Sequence, residues 1–182
     1  MDMPERNVSI KHYKLIPEKN IKLSKAFHAW GLNAVILEEM DLIEENVLIR
    51  GDLNKVNIGV GTIIDAGTVL HNCLNSPIPP FDFKTLIIGS QCYIGKNCII
   101  SSRSIGNSVY IGKNCILGER SEVGCCVKIL DDTYVPPDVR VPDNCVFGGY
   151  PGKVLGEVCE SFEQWIENYC SNFYANLNII SS

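Results

Sequence analysis

Aliphatic residues recur at every sixth position through the second half of the chain. A step of six from Ile105 reaches an aliphatic or aromatic residue each time, at Ile105, Ile111, Leu117, Val123, Ile129, Val135, Val141 and Phe147. The residue after each is often glycine, and the fifth residue of each hexad is small or β-branched. This period matches neither an α-helix nor an isolated strand. It predicts an all-β fold, a parallel β-helix in which each hexad forms a short strand and a corner, and three hexads make one coil.

The hexads also predict which residues face the interior. The first residue of each hexad should point into a narrow prism, the fifth should point inward but be small, and glycine at the second position suits a tight bend. The sequence IGKNCI occurs twice, at residues 94–99 and 111–116. The hexad that begins at Ile100 is followed by one at Ile105, so one residue is missing. The two copies should therefore stack directly, as repeats do in a solenoid.

The pattern predicts three segments along the chain. Residues 1–35 lack clear hexads and are expected to be a lead-in that caps the first coil. The β-helix is predicted over residues 36–152. A loop at 72–87 should protrude from it, because its prolines cannot join a ladder of strands. Residues 153–182 are predicted to be a C-terminal amphipathic helix and tail.

The predicted helix has an apolar stripe at helical spacing, which is typical of an amphipathic helix. Its members are Val158, Phe162, Trp165, Ile166, Tyr169, Phe173 and Leu177. We expect the helix to fold back along one face of the prism and bury this stripe. The alternative is that it presents the stripe to another subunit.

Composition narrows the class of protein. The chain has 182 residues, 46% of them hydrophobic and 20% charged, which predicts one globular domain. Its net charge of −5 argues against nucleic acid or an anionic membrane as the main partner. No apolar run resembles a signal peptide or a membrane span. We therefore expect a cytoplasmic protein with no direct membrane insertion.

The nine cysteines are best explained by packing. Four occupy the small fifth position of a hexad: Cys92, Cys98, Cys115 and Cys145. In that position cysteine acts as a compact hydrophobic residue. Cys98 and Cys115 should lie about 4.8 Å apart in neighbouring coils, so a disulfide or metal is geometrically feasible. The chain has no C-x-x-C motif, however, and the neighbouring Cys125 and Cys126 are an unusual zinc arrangement.

The stretch LIRGDLNKVNIGVGTIIDAGTVLHNC resembles the gamma-class carbonic anhydrases. Their Arg-Gly-Asp, Ile-Gly and Gly-Thr-x-x-His motifs are matched by Arg50, Gly51, Asp52, Ile58, Gly59, Gly67, Thr68 and His71. The resemblance implies a left-handed β-helix and a metal held by three histidines, the first of them matched by His71. The positions of the other two hold Lys96 and Ser101.

A catalytic metal needs about three protein ligands. The other histidines, His12 and His28, fall in the predicted lead-in. We therefore expect no metal, no cofactor and no catalytic residue. His71 is expected to be a remnant of a lost site that packs in the fold or supports the loop.

The stretch GGYPGKV resembles the closing motif of hexapeptide acyltransferases. Those enzymes usually need a histidine general base at the groove between two prisms. Here His71 would have to serve alone, and the following VLGE lacks the arginine common in that family. A carbonic-anhydrase-like metalloenzyme and an acyltransferase remain the alternative functions.

The closer resemblance is to the dynactin subunit 5 family, and it runs from about Val47 to Tyr174. Its marks are IRGDL, PPFDF, SIGNSVYIGKNCILGERSEVGCCVKILDDTYVPP, and YPGKVLGE before the terminal helix. The resemblance implies a non-enzymatic structural subunit of the dynactin pointed-end complex. Its implied partners are dynactin subunits 4 and 6 and an actin-related protein. The implied role is to support dynein-driven microtubule transport and the attachment of cargo adaptors.

Partner-binding candidates lie on surfaces that the hexads leave free. Phe81 and Phe83 stand beside rigid prolines, including Pro80, and are either exposed anchors or rings packed back on the prism. Arg50 and Asp52 match a pair that the gamma-class relatives place at a subunit contact, although an internal ion pair is favoured here. Trp165 is the candidate on the helix.

The prism ends should expose strand edges, which another prism would cover; the resemblance implies that dynactin subunit 6 is that prism. Whether the isolated chain is a homo-oligomer stays open.

Overall fold

The structure is a computed structural model that describes residues 6–9, 13–76, 78–79 and 81–180. The elements of these residues are, in chain order, β1 (Arg6–Ser9), β2 (Tyr13–Ile16), β3 (Ile21–Ser24), β4 (His28–Trp30), a 3-10 helix (Leu32–Ala34), β5 (Val35–Leu37), β6 (Leu42–Ile43), β7 (Leu48–Arg50), β8 (Val56–Ile58), β9 (Ile63–Ile64), β10 (Val69–His71), β11 (Leu86–Ile88), β12 (Tyr93–Ile94), β13 (Ile99–Ile100), β14 (Ser104–Ile105), β15 (Tyr110–Ile111), β16 (Ile116–Leu117), β17 (Glu122–Val123), β18 (Lys128–Ile129), β19 (Tyr134–Val135), β20 (Arg140–Val141), β21 (Cys145–Gly149), β22 (Gly152–Glu157), α1 (Phe162–Ala175) and β23 (Leu177–Ile180).

Three parallel sheets form the faces of a left-handed β-helix of about six coils, which confirms the predicted fold class. Face 1 consists of β3, β6, β9, β12, β15, β18 and β21. Face 2 consists of β4, β7, β10, β13, β16 and β19. Face 3 consists of β5, β8, β11, β14, β17 and β20. Antiparallel strands β2 and β22 cover the two ends of face 1, and within the described ranges no strand covers the ends of faces 2 and 3.

The interior is filled as the hexads predict. The first residues of the hexads from Ile88 onward are at most 3% exposed: Ile88, Ile94, Ile100, Ile105, Ile111, Leu117, Val123, Ile129, Val135, Val141 and Phe147. Most of the small fifth positions are buried too, including Cys98 and Cys115, whereas Val139 is partly buried. The two IGKNCI copies stack directly, since Ile94 pairs with Ile111 and Ile99 with Ile116. The shortened hexad therefore changes the register by one residue without breaking the ladder.

The role predicted for the second-position glycines is wrong. The bend lies at the fourth residue of the hexad, where φ is between 54° and 62° at Asn97, Ser108, Asn114, Arg120, Cys126, Asp132, Asp138 and Asn144. Asparagine and aspartate tolerate this left-handed conformation better than most residues. The glycines are needed for close approach between coils instead. A Cβ atom on Gly95 would lie 2.7 Å from the carbonyl carbon of Gly112 in the next coil.

The coils begin at Ile21 rather than at residue 36. Strands β3, β4 and β5 pair in parallel with β6, β7 and β8 and so form the first coil. The hexad pattern is obscured here, because Phe27 occupies a position that is small in later coils. Ala29 pairs with Ile49 and stands where those coils have a large aliphatic residue. A terminal coil has no neighbour on one side, so its side chains are less restricted in size.

Extra residues are accommodated at one corner. Paired residues are 18 apart in the regular coils, as in Glu122 and Arg140, but 30 apart at Val69 and Ile99. The added residues form the loop between β10 and β11. Inside it Leu74 and Phe83 form an antiparallel bridge, so the loop is a short hairpin that leaves the ladder intact.

Helix α1 packs along face 1, as predicted. It buries Phe162, Ile166, Cys170 and Phe173. These side chains cover the outward residues of face 1, which include Leu42, Ile63 and Tyr93. Lys22 fixes the far end of the helix by donating from Nζ to the carbonyl oxygens of Tyr174 and Leu177, at 2.7 and 2.8 Å.

Beyond the helix, β23 pairs in parallel with β1 and so joins the two ends of the chain. No helix in the described ranges is both long and apolar enough to cross a bilayer.

The cysteines of the described residues are all free thiols. Cys98 donates from Sγ to the Gly112 carbonyl at 3.1 Å, and Cys115 donates to the Leu130 carbonyl at the same distance. Burial raises the pKa of Cys92 to about 12. A thiol with a raised pKa is mostly protonated near neutral pH, and Cys92 therefore acts as a packing group.

Asp41 is an unusual fully buried carboxyl group in the second coil. Its two oxygens accept hydrogen bonds from the backbone N–H groups of Thr62 and Glu38, at 2.9 and 3.0 Å. Burial removes water from the carboxylate and raises the pKa of Asp41 to about 8.

The close approach of the glycines predicts the effect of Gly95→Ala. Because the added methyl group would meet the Gly112 backbone, the substitution should lower the free energy of unfolding by about 1–3 kcal/mol. Gly156→Ala is the matched control, since no atom lies within 4 Å of a Cβ built there. Urea denaturation of both variants measures the difference. Equal midpoints for Gly95→Ala and the wild type would contradict this packing.

The buried carboxyl predicts a pH dependence. Because the pKa of Asp41 is higher in the folded chain than in the unfolded chain, the unfolded state loses its proton first. The free energy of unfolding should then fall as the pH rises from about 4 to about 8. Asp41→Asn should reduce this slope by up to about 1.4 kcal/mol per pH unit. In the control Asp52→Asn, the slope from pH 5 to 8 should persist, because the hydrogen bond from Arg50 lowers the pKa of Asp52. Urea denaturation at several pH values measures these slopes. If the Asp41→Asn variant kept the wild-type slope of stability against pH, the raised pKa of Asp41 would be refuted.

Candidate functional site

His71 and Ser101 lie together at the edge of face 2. His71 ends β10, and Ser101 follows β13 in the next coil. The Nε2 atom of His71 lies 2.7 Å from the Ser101 hydroxyl, and Nδ1 lies 3.2 Å from the carbonyl oxygen of Asn72. Ser101 is 7% exposed. The histidine is thus held by two hydrogen bonds at the corner where the loop leaves the coil.

These contacts determine which nitrogen carries the proton. A backbone carbonyl only accepts hydrogen bonds, so Nδ1 of His71 is the donor to Asn72. In the neutral ring Nε2 is then the acceptor, and the Ser101 hydroxyl donates to it. The lone pair that would bind a metal is therefore used within the chain.

Trp30 and Arg50 occupy the position of His71 in the two preceding coils of face 2. Arg50 pairs with His71 in one coil and with Trp30 in the other. Its guanidinium group lies 4.5 Å from the centre of the Trp30 ring and donates from Nε and Nη2 to Asp52 at 2.8 and 2.9 Å. The predicted Arg50–Asp52 pair thus forms within the chain, and Trp30 stays 54% exposed. Whether this exposed pair also contacts a partner stays a proposal.

The other positions matched to the metal site serve different contacts. Lys96 is exposed on the corner between faces 1 and 2. Asp65, on the same corner one coil earlier, is buried and accepts a hydrogen bond from the Tyr93 hydroxyl at 2.7 Å. Within the described residues, no group of three or more histidine, cysteine or acidic side chains is arranged to hold a metal ion.

The protruding loop is held at its base by Asn72. This buried side chain donates from Nδ2 to the carbonyls of Lys55 and Lys84, at 2.8 Å each. Phe81 is 63% exposed, whereas Phe83 is half-buried. The loop therefore presents one of the two predicted aromatic rings to solvent. Pro80 lies outside the described residues.

Trp165 lies on α1 at the boundary between face 1 and solvent. Its ring is 5.6 Å from the Tyr110 ring of face 1, and Lys128 lies 5.5 Å from its centre. The side chain remains 41% exposed. It therefore contributes to packing and leaves one edge available.

The first coil is open at its end. Strands β4 and β5 are edge strands of faces 2 and 3 among the described residues. Next to them lies an apolar cavity of about 540 Å³. Its lining includes Leu23, Phe27, Leu32, Val35 and Leu37. The end of the prism thus exposes both apolar side chains and strand edges.

The sequence analysis missed the outward residues of face 2. These residues, each directly before an inward aliphatic residue, are Leu48, Val69, Ile99, Ile116 and Tyr134. Ile99 and Ile116 are 43% and 37% exposed. The signal was present as the sixth position of every third hexad, but it becomes visible only when the hexads are sorted by face.

Comparison with known proteins supplies the family. The sequence matches the dynactin subunit 5 family over residues 11–181. Dynactin subunit 5 of Dictyostelium discoideum is 34% identical over 84 residues, which cover 46% of this chain and 42% of the relative. An uncharacterised protein of the same organism is 27% identical over 133 residues, covering 73% of this chain and 53% of the relative. The chain thus spans about half the length of these relatives.

A solved structure supports the fold. A hexapeptide transferase family protein from Anaplasma phagocytophilum aligns with a TM-score of 0.65 at 19% identity, covering 86% of this chain and 91% of that one. At this identity the likeness concerns the β-helix and not the activity. The sequence match, in contrast, extends over nearly all of the chain, and the chain therefore belongs to the dynactin subunit 5 family.

Proposed function

We propose that this chain is a non-enzymatic structural subunit of the dynactin pointed-end complex. The observation that supports the absence of catalysis is the hydrogen bonding of the His71 ring. Its Nε2 atom accepts a hydrogen bond from Ser101, which stands where the gamma-class pattern has a metal-binding histidine. The Lys96 position brings a positive charge rather than a further ligand. The site of the enzymatic relatives is thus converted into an internal hydrogen bond.

A β-helix of this kind suits a scaffold because its shape is set by its interior. The coils are joined by backbone hydrogen bonds, so the outward side chains remain available for partners. We assign it dynactin subunits 4 and 6 and an actin-related protein as neighbours, in the cytoplasm and on the cytoskeleton. In that position it would support dynein-driven microtubule transport and the attachment of cargo adaptors.

Four surfaces are the candidate contacts within this assembly. The loop contributes Phe81, with Phe83 and Pro80 beside it, and an exposed aromatic ring is a frequent anchor in protein interfaces. The Arg50–Asp52 pair and the exposed edge of Trp165 lie on faces 2 and 1. The open first coil fits a second prism stacked end to end, because unpaired strand edges need covering.

The scaffold proposal predicts what a tagged chain recovers from cytosol. Wild-type protein should retain dynactin subunits and an actin-related protein, measured by mass spectrometry of the bound fraction. Phe81→Ser should reduce the recovery of at least one partner, because it removes an exposed aromatic anchor. Ile87→Ser, on face 3 and 51% exposed, is the control. A homo-oligomer that recovers none of these partners would contradict the proposal.

The enzymatic alternatives make opposite predictions for the purified chain. Because a protein zinc site needs about three or four ligands, we expect metal analysis to find well below 1 equivalent of zinc or iron per chain. We likewise expect no saturable binding of acetyl coenzyme A by calorimetry. Stoichiometric metal that is lost in His71→Gln would favour a carbonic-anhydrase-like site. Binding of acetyl coenzyme A would favour an acyltransferase.

A further inference from the structure

We propose that Ser76, in the loop between β10 and β11, is a phosphorylation site for a proline-directed protein kinase, and that its phosphate weakens the partner contact made by Phe81. The site itself concerns this chain alone. The effect on the contact rests on the proposed function and adds a means of regulating it.

Ser76 is the only serine or threonine of the sequence that is followed directly by proline. Proline has no backbone N–H group, and its ring fixes φ. Proline-directed kinases hold the residue after the acceptor in a pocket that offers no partner for an N–H group. Any other residue there would leave a buried donor unpaired, which is costly. The pair Ser76–Pro77 therefore meets the sequence requirement of this class of kinase.

Most hydroxyl groups of the coils are closed to an enzyme. Four of them are at most 1% exposed, and each donates to a backbone carbonyl at 2.7–2.9 Å: Thr62, Thr68, Ser121 and Thr133. Phosphorylation of any of these would require a coil to open. Ser76 is only half-buried and lies outside the coils.

The paired part of the loop ends at the residue before Ser76. The amide of Asn75 donates to the carbonyl of Asp82 at 2.8 Å. Beyond this pair, residues 76, 78, 79 and 81 make no backbone hydrogen bond to another described residue. A kinase binds its substrate as an extended segment, and the backbone of this tip is free to adopt that form.

The hydroxyl of Ser76 has a local contact that is easily lost. It accepts a hydrogen bond from the amide of Ile78 at 3.1 Å, in a turn of two residues. Such side-chain to backbone bonds within a turn are weak. Extending the tip into a kinase therefore breaks one local hydrogen bond and no contact between coils.

The coils are fixed independently of the tip. Asn54 donates from Nδ2 to the carbonyl of Phe83 at 2.6 Å, and the amide of Lys84 donates to the carbonyl of Cys73 at 2.9 Å. These bonds close the base of the loop together with those of Asn72. A phosphate at the tip should therefore leave the fold unchanged.

The surroundings of Ser76 determine what a phosphate would do there. Asp82 is the only charged residue from Asn72 to Phe83, and it is exposed. Ile78 and Phe81 are 71% and 63% exposed. A phosphate next to a carboxylate or within an apolar interface is disruptive, through like-charge repulsion and the cost of desolvation. Both conditions hold at this tip.

The modification transfers the γ-phosphoryl group of ATP to the Oγ atom of Ser76. The bond from phosphorus to the oxygen of ADP breaks as the bond to Oγ forms, and the hydroxyl proton passes to a basic group of the kinase. The charge of the tip then changes from −1 to about −3 at neutral pH. An apolar partner surface that receives Phe81 would have to bury part of this charge.

The test of the site uses the purified full chain, magnesium ATP and an active proline-directed serine/threonine kinase. Mass spectrometry should find one phosphoryl group per chain, on Ser76, and none in Ser76→Ala. Pro77→Ala should lower the initial rate at least about tenfold, because its N–H group is left unpaired in the kinase. Ser90→Ala is the matched control and should be phosphorylated like the wild type. Urea denaturation checks that the variants keep the wild-type midpoint.

The test of the effect compares the wild-type chain before and after complete phosphorylation. Each form is used to recover dynactin subunits from cytosol, with kinase and phosphatase inhibitors present. The phosphorylated chain should lose at least one partner to the same extent as Phe81→Ser. Because both changes act on one contact, phosphorylation of Phe81→Ser should cause no further loss. Kinase-treated Ser76→Ala is the control and should recover the partners like the untreated wild type.

The outcomes separate the site from its effect. No phosphate, phosphate on another residue, or an unchanged rate in Pro77→Ala would overturn the site. Equal recovery before and after phosphorylation, or a further loss in phosphorylated Phe81→Ser, would overturn the effect and leave the proposed function in place. A chain that is phosphorylated on Ser76 but recovers no dynactin subunit in either form fails the proposed function and the effect, while the site is upheld.

Discussion

Hydrogen bonding between successive coils is the interaction on which the rest of the structure depends. The amide of His28 donates to the carbonyl of Val47, that of Leu48 to Thr68, and that of Val69 to Cys98, at 2.8–2.9 Å. Because each coil must repeat the backbone path of its neighbour, the interior has a constant narrow width. This explains why one inward position is aliphatic and the other small, and why Gly95 and Gly112 lie against each other.

The requirement that each coil repeats the path of its neighbour restricts the inward residues, which stabilise the fold, but not the outward residues, which are available for function. Inward residues are determined by the coil, whereas outward residues are free to vary from face to face. In this chain the outward positions are covered by a helix on face 1, are aliphatic or aromatic from Leu48 to Tyr134 on face 2, where Ile99 and Ile116 are exposed, and are mostly polar on face 3. At the corner where the loop leaves the coil, His71 and Ser101 form a hydrogen bond.

The regular half of the fold was predictable from sequence, because eight consecutive hexads repeat a pattern that only a solenoid satisfies. The first coil was not, since Phe27 and Ala29 reverse the usual order of large and small side chains there. The bend was placed at glycine because glycine permits positive φ, but Asn97 and its equivalents adopt that conformation. Ser101 was identified by its position in the pattern, yet only the structure shows that it donates to His71. The apolar column of face 2 required the register between coils.

The central claim is that the outward surfaces, and not a catalytic site, carry the function of this chain. Hydroxyl-radical footprinting of the chain alone and within purified dynactin tests it most directly, since the oxidation of each side chain reports its exposure. The account predicts that Phe81 in the loop becomes protected in the assembly while Ile87 on face 3 does not. Equal oxidation of each of these residues in the two samples would contradict it.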